Sequence, residues 1–223
     1  MRRASVSRLP ESKATPVSEI KAIYCDVGGV LLTNGWDHHS RKRVVEAFGL
    51  DLAEFEKRHE EPNDRWEKGR ITIDEYLDLT VFYEPRSFRR EAFVRAMTNE
   101  SKVLYPESMR IVAGLRHSGL YMVAMLNNES AELNDYRIHE FGLQQCFECF
   151  FSSCYVGLRK PHPPIYLLAL KLLQRRPHEC VFIDDRSENV AAAVAVGMHG
   201  IQFQSPAQLR DELAKLRIDS EAA

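Results

Sequence analysis

The chain has 223 residues, 44% of them hydrophobic and 28% charged, with a net charge of −2. That length suits one ordinary domain, or one with an insertion, and the near-neutral balance argues against nucleic acid or an anionic membrane as a partner. No apolar run is long enough to span a bilayer, and Arg2 and Arg3 are not followed by the apolar stretch of a signal peptide, so a cytoplasmic location is expected.

Residues 1 to about 19 are polar, include Pro10 and Pro16, and read as a disordered tail (1–19). Ala22 to Cys25 follows as a buried strand that ends at Asp26, with Gly28 and Gly29 behind it. A carboxylate at the end of a buried strand is costly unless a cation or a reaction uses it. Thr33-Asn34-Gly35 is a turn signal. From Trp36 to about Lys102 the periodic segments are helical. Arg43 to Phe48, and Leu52 with Phe55, mark two helices; Thr72 and Glu75 form a capping box that opens a third; Ser87 opens a fourth through Phe88, Ala92, Phe93 and Ala96. Residues 34–102 are therefore expected to be an inserted helical cap in a core of residues 20–33 and 103–223.

Beyond the insert, helices and strands alternate. Pro106 opens a helix that Gly119 stops. Tyr121 to Leu126, Cys149 to Ser152, Cys180 to Ile183 and His199 to Phe203 read as strands, with helices over Ser130 to Glu140, after Pro164, over Ser187 to Val196 and after Pro206. This pattern predicts an α/β fold, a parallel sheet with helices on both faces. Cys25, Cys146, Cys149, Cys154 and Cys180 sit mostly in apolar runs, and the one CxxC pair has no second, so buried reduced thiols are expected.

In such sheets ligands bind beyond the carboxyl ends of the strands. Those ends carry Asp26 to Gly29, then Asn127 and Asn128, then Lys160, then Asp184 and Asp185. Carboxylates with a backbone carbonyl make an oxygen site suited to Mg²⁺. Asp26 is placed to act as a nucleophile, and Lys160 to neutralise charge. Main-chain N–H groups at Gly28, Gly29 and Asn128, with the Asn127 side chain, could hold phosphoryl oxygens. Phosphoryl transfer needs mainly such positioning and charge stabilisation.

These four stretches resemble the four motifs of the haloacid dehalogenase (HAD) superfamily, in the branch with a helical cap after the first strand (type C1, subfamily IA-like). Asp26-Val27-Gly28-Gly29-Val30 resembles the first, Leu126-Asn127-Asn128 the second, Gly157 to Pro163 the third, and Phe182 to Val190 the fourth. The resemblance implies a Rossmann-like core, Mg²⁺ and an aspartyl-phosphate on Asp26. It also implies Asp26, the Gly28 carbonyl and Asp185 as metal ligands, with Asp184 supporting them from behind or serving as an alternative ligand. A phosphatase acting on a small phosphorylated metabolite, such as a sugar phosphate, is the function expected, in a monomer or homodimer.

One position departs from the family pattern. Its phosphatases carry an acid two residues after the nucleophile, and here that position is Gly28. Three consequences are open. The leaving group is a good one, such as an anomeric or acyl phosphate; Asp37, His38, His39 or the cap supplies a substitute acid; or the chain binds phosphate without turnover. A 2-haloacid dehalogenase is the other alternative, disfavoured by Gly28 and by the acidity around Asp185. Trp36, Trp66 and Tyr76 are expected in the cap core or along the pocket. Arg159 is expected to be structural or exposed.

Overall fold

The computed structural model describes residues 19–219, so the expected tail, up to residue 18, lies outside the described residues. Five strands, β1 (Ala22–Cys25), β2 (Met122–Asn127), β3 (Cys149–Ser152), β4 (Cys180–Asp184) and β5 (His199–Gln202), pair in parallel in the order β3-β2-β1-β4-β5. Successive side chains of a strand face opposite sides of the sheet. Ile23, Cys25, Val123, Met125, Val181 and Ile183 meet Ile111, Val112 and Leu115 of α5 (Pro106–His117) and Leu209 and Leu213 of α10 (Pro206–Lys215). Ala22, Tyr24, Ala124, Leu126, Cys180 and Phe182 meet Ile165, Tyr166 and Ala169 of α8 (Pro163–Leu172) and Ala193 of α9 (Ser187–Ala195). Strands covered on both faces read as the unbroken apolar runs seen in the sequence.

The chain runs from β1 outward to β3, then crosses back to β4. The order therefore reverses between β1 and β4, which is where such sheets open a crevice at their carboxyl ends. Register places Cys25 beside Ile183, and the Asp26 amide donates to the Ile183 carbonyl at 2.8 Å. Asp26 and Asp184 thus leave adjacent strands at the same level.

The insert holds α1 (His38–Ala47), α2 (Leu52–Glu67), α3 (Ile73–Thr80) and α4 (Arg90–Asn99). They gather an apolar cluster of their own, with Val44, Val45, Phe55, Trp66, Tyr76, Leu77, Phe93 and Met97, into which Leu133 of α6 (Ala131–Glu140) also packs. Trp66 and Tyr76 are stacked in this cluster rather than along a pocket. The capping box at Thr72 and Glu75 is formed. Ser87 does not open α4, which starts at Arg90 without a side-chain cap. The two linkers run side by side, with Thr33 N–H donating to the Lys102 carbonyl and Leu104 N–H to that of Leu31, both at 2.9 Å. The five cysteines are free thiols. No helix among the described residues is long and apolar enough to cross a membrane.

Candidate active site

The end of β1 delivers Asp26, 8% exposed, into the crevice. Lys160, from the loop between α7 (Ser153–Val156) and α8, reaches it with Nζ 3.0 Å from Asp26 Oδ1 and 2.6 Å from Asp184 Oδ2. Desolvation opposes the charge on Lys160, yet Asp26 and Asp184 outweigh it and raise the lysine's pKa. Burial lifts the Asp26 carboxyl to about 7, against the pull of Lys160 and with the push of Asp184. Val27 N–H also donates to Asp26 Oδ1, at 2.8 Å, so both of these partners sit on one oxygen.

Asp26, Asp184 and Asp185 bring carboxylate oxygens within 4.8 Å of one another. Their circumstances differ. Asp184 is fully buried, and its two oxygens accept from Lys160 Nζ, from the Arg186 N–H and, twice, from the Asn189 amide. With its acceptor capacity taken up, its structural role is to hold Lys160. Asp185 keeps a buried Oδ1 with no hydrogen-bond partner among the described residues. Burial and the neighbouring Asp184 raise its pKa. A bare buried carboxylate oxygen beside a second carboxylate is the donor set a hard divalent cation would satisfy. Asp26 and Asp185 fit that use, and Asp184, whose oxygens already accept from Lys160, Arg186 and Asn189, stands behind them in the same cluster. Gly29 makes room for this arrangement. Its φ is +72°, and a Cβ there would lie 2.2 Å from Asp185 Oδ2.

The amides divide between scaffold and cleft. Asn128 clamps the lysine loop, its Nδ2 donating to the Lys160 carbonyl and its Oδ1 accepting from the Lys160 N–H, both at 2.9 Å. Asn127 donates to Asn134 at 3.0 Å and keeps Oδ1 buried without a hydrogen-bond partner among the described residues. The Gly29 N–H is spent on the Leu32 carbonyl at 2.8 Å. It is therefore not available to hold a phosphoryl oxygen, contrary to the expectation from sequence. The Gly28 and Asn128 N–H groups carry no such bond among the described residues.

Above these groups lies a cleft of about 370 Å³ whose walls include Asp26, Gly28, Asn127, Asn128 and Lys160 from the core and Asn34, Trp36, Asp37, His38, Asn63 and Glu67 from the insert. Sequence reading missed several of its walls. Arg137 is buried against Glu129 at 2.7 Å and donates to the Thr33 carbonyl at the exit from the core. Arg159, expected to be structural or exposed, ties the lysine loop to the insert through Asp64 at 3.0 Å and Glu67 at 2.6 Å. The Arg159 pairs and the Arg137–Thr33 contact join residues more than 90 positions apart in the chain, and no local pattern announces them. His38 faces the cleft but is exposed and held by Glu56, and His39 is not among its walls.

The profile of the haloacid dehalogenase-like hydrolases matches residues 20–197. The sesquiterpene phosphatase astK of Aspergillus oryzae is 33% identical over 202 residues, covering 88% of this chain and 96% of its own. Acyl-CoA dehydrogenase family member 10 of Mus musculus is 27% identical over 212 residues, covering 88% of this chain. This chain corresponds to 19% of that protein's length. A HAD family enzyme from Bacteroides thetaiotaomicron, solved in complex with magnesium and inorganic phosphate, superposes with a TM-score of 0.72 at 22% identity, covering 83% of this chain and 95% of that one. With the family profile running from β1 through α9, the chain belongs to the haloacid dehalogenase-like hydrolases.

Proposed function

We propose that this hydrolase is a phosphatase acting on a small phosphorylated metabolite, with Asp26 as nucleophile and Mg²⁺ as cofactor. The observation that carries the reading is the pairing of a buried Asp26, neutralised by Lys160 on one oxygen, with an Asp185 oxygen that has no hydrogen-bond partner among the described residues. The similarity to a phosphatase over nearly the whole of both chains supports it.

Asp26 Oδ1 is held by Lys160 and Val27 N–H, which leaves Oδ2 to attack phosphorus. The bond that forms joins Asp26 Oδ2 to phosphorus, and the bond that breaks joins phosphorus to the leaving oxygen. Lys160 lowers the cost of bringing a phosphoryl group against two buried carboxylates. Asp184 and Asn128 fix the lysine from its two ends, the ammonium and the backbone. Gly28 and Asn128 N–H groups and the Asn127 amide line the place where phosphoryl oxygens would sit. Asp26, Asp185 and the Gly28 carbonyl would hold Mg²⁺, which on binding screens the carboxylates from the incoming anion. The cleft leaves room for a small molecule, and the insert walls choose which one.

The test is phosphate release from a panel of phosphorylated metabolites with Mg²⁺, with EDTA, and with Asp26→Asn. Release that requires both the metal and Asp26 is expected. Equal release by wild type and Asp26→Asn sinks the reading, and tight binding of vanadate with no turnover on any substrate turns it into a binding function.

A further inference from the structure

Phosphoryl transfer to Asp26 leaves the electron pair of the broken P–O bond on the leaving oxygen. The cleft walls offer that oxygen few protons. Apart from Asp26, the carboxylates lining the cleft are Asp37, Glu67 and Glu129. Asp37 caps α1, with its Oδ1 accepting from the Ser40 N–H at 2.8 Å and from the Ser40 hydroxyl at 2.9 Å. Glu129 is locked against Arg137 at 2.7 Å and accepts from the Ser130 N–H at 3.0 Å. Glu67 accepts from Asn63 at 3.1 Å on Oε1, while its buried Oε2 makes no hydrogen bond among the described residues and lies 2.6 Å from the Arg159 guanidinium. Burial pushes its carboxyl up, and the charge of Arg159 pulls the other way, favouring the ionised form. His38 is exposed and paired with Glu56 at 3.1 Å. Among the described residues, each of these acids has a partner close by: Asp37 the Ser40 N–H and hydroxyl, Glu129 the Arg137 guanidinium and Glu67 that of Arg159.

Two side chains lining the cleft make no hydrogen bond among the described residues: Asn34 and the Arg186 guanidinium. Asn34 is the more telling. It is half-buried, at the point where the chain leaves the core for the insert, and its amide lies against Gly28. A Cβ on residue 28 would come within 2.7 Å of Asn34 Oδ1 and 3.4 Å of Asn34 Cα. The space in which a side chain at position 28 would begin is thus already filled, two residues beyond the nucleophile, by a neutral amide with its hydrogen-bonding capacity unspent. An amide can donate a hydrogen bond to a developing anion, but it cannot transfer a proton to it.

Building on the phosphatase reading, we infer that Asn34 is a specificity-determining residue that occupies the site of a proton donor, so that the enzyme selects phosphates whose leaving group departs as a stable anion, such as acyl or anomeric phosphates. The phosphorus–oxygen electron pair leaves with that oxygen, the Asn34 amide steadies the charge, and the proton comes afterwards from solvent. Alkyl phosphates, whose leaving alkoxides are strongly basic, are poor substrates for such a site.

The experiment measures kcat/KM with Mg²⁺ for acetyl phosphate, aryl phosphates of graded leaving-group pKa and glycerol phosphate, using wild type, Asn34→Ala, the double variant Gly28→Asp with Asn34→Gly, and Glu67→Gln. Wild-type rates are expected to fall steeply as the leaving group becomes more basic. Asn34→Ala should slow the activated substrates by about tenfold or more, the range of a lost hydrogen bond to a charged group. The double variant, which frees the space and supplies an acid, should flatten the slope and raise the alkyl substrate by about a hundredfold. Asn34→Ala keeps the question answerable should the double variant fail to fold. A flat wild-type slope that steepens in Glu67→Gln overturns the inference and gives the proton to Glu67, and so does an Asn34→Ala variant with unchanged rates on every substrate. Loss of all metal- and Asp26-dependent release across the series sinks the phosphatase reading itself, a result distinct from a flat slope with intact turnover.

Discussion

Lys160 is the residue on which the charge balance of the site rests. Its side chain is 1% exposed and lies between two carboxylates on adjacent strands, Asp26 and Asp184. Removing one partner from a buried ionic cluster leaves uncompensated charge, which costs about 3–5 kcal/mol. Lys160→Met is therefore expected to lose about that much stability at pH 7 in urea unfolding. Asp26 is already lifted by burial and would then lose the cation that pulls its proton off, so it would take up a proton more readily. Protonation relieves the buried charge, and the deficit relative to wild type should narrow between pH 7 and pH 5. A deficit that widened on acidification would show that Lys160 stabilises by packing instead. Asp26, Lys160, Asn127, Asp184 and Asp185 were all legible in the sequence, because each closes a strand or stands in the loop behind one. Their division of labour was not. That Asp184 holds the lysine while Asp185 keeps a free oxygen depends on which way each carboxylate turns, and two adjacent aspartates look alike in a sequence. The same limit applies to Gly29, whose N–H is used within its own turn.

At the scale of elements, the insert is fastened to the core on one side of the cleft. Glu132, in the first turn of α6, accepts from Trp66 Nε1 at the end of α2 and from the Ile73 N–H at the start of α3, both at 2.8 Å. Leu133 beside it joins the insert's apolar cluster, and Arg159 adds its pairs to Asp64 and Glu67 on α2. One carboxylate thus satisfies a buried indole and a helix-terminal N–H together, and its loss leaves both donors without partners. Each unsatisfied donor costs about 1–3 kcal/mol. Glu132→Ala is expected to raise hydrogen exchange across α2 and α3 well above that of the sheet, as read by mass spectrometry. Unchanged exchange in α2 and α3 would mean that the apolar contacts alone hold the insert. The helices themselves were foreseen from periodicity and from the Thr72–Glu75 capping box. The start of α4 was misplaced by three residues because Ser87 looks like a cap, while the bend over residues 83–89 uses Arg86 to donate to the Val81 carbonyl. The length of α2 was hidden by Pro62, which sits buried inside it.

For the molecule as a whole, the insert's buried polar chain sets an acid limit on stability. Trp36 Nε1 donates to Tyr76 Oη at 2.8 Å, and Tyr76 Oη pairs with His59 Nδ1 at 2.7 Å. Burial, helped by Arg41, keeps His59 neutral and holds its pKa down at about 3. An unfolded histidine titrates near 6.5, so between about pH 6.5 and 3 the unfolded chain binds the proton that the folded one refuses. Stability from this group is complete above pH 6.5 and is lost as pH falls below it. The loss between pH 7 and pH 5 is about 2 kcal/mol. Urea unfolding at the two pH values should show this decrement in wild type and a smaller one in His59→Gln; equal decrements in both proteins would remove His59 as the cause.

The sequence by itself determined the α/β architecture, the helical insert after the first strand and the family. The first two follow from local physics: apolar runs buried on both faces, helical periodicity, caps, and the placement of polar residues at strand ends; the family follows from the resemblance of four stretches to its motifs. Only the tertiary structure decided what stands at the position of the missing acid. Gly28 announces a vacancy in the sequence, but Asn34 fills it, six residues on and across a turn. Which carboxylates of the cleft face a cation is likewise a matter of three-dimensional pairing. Glu67 meets Arg159, and partnerships of that kind arise from packing between elements, which a linear pattern does not record.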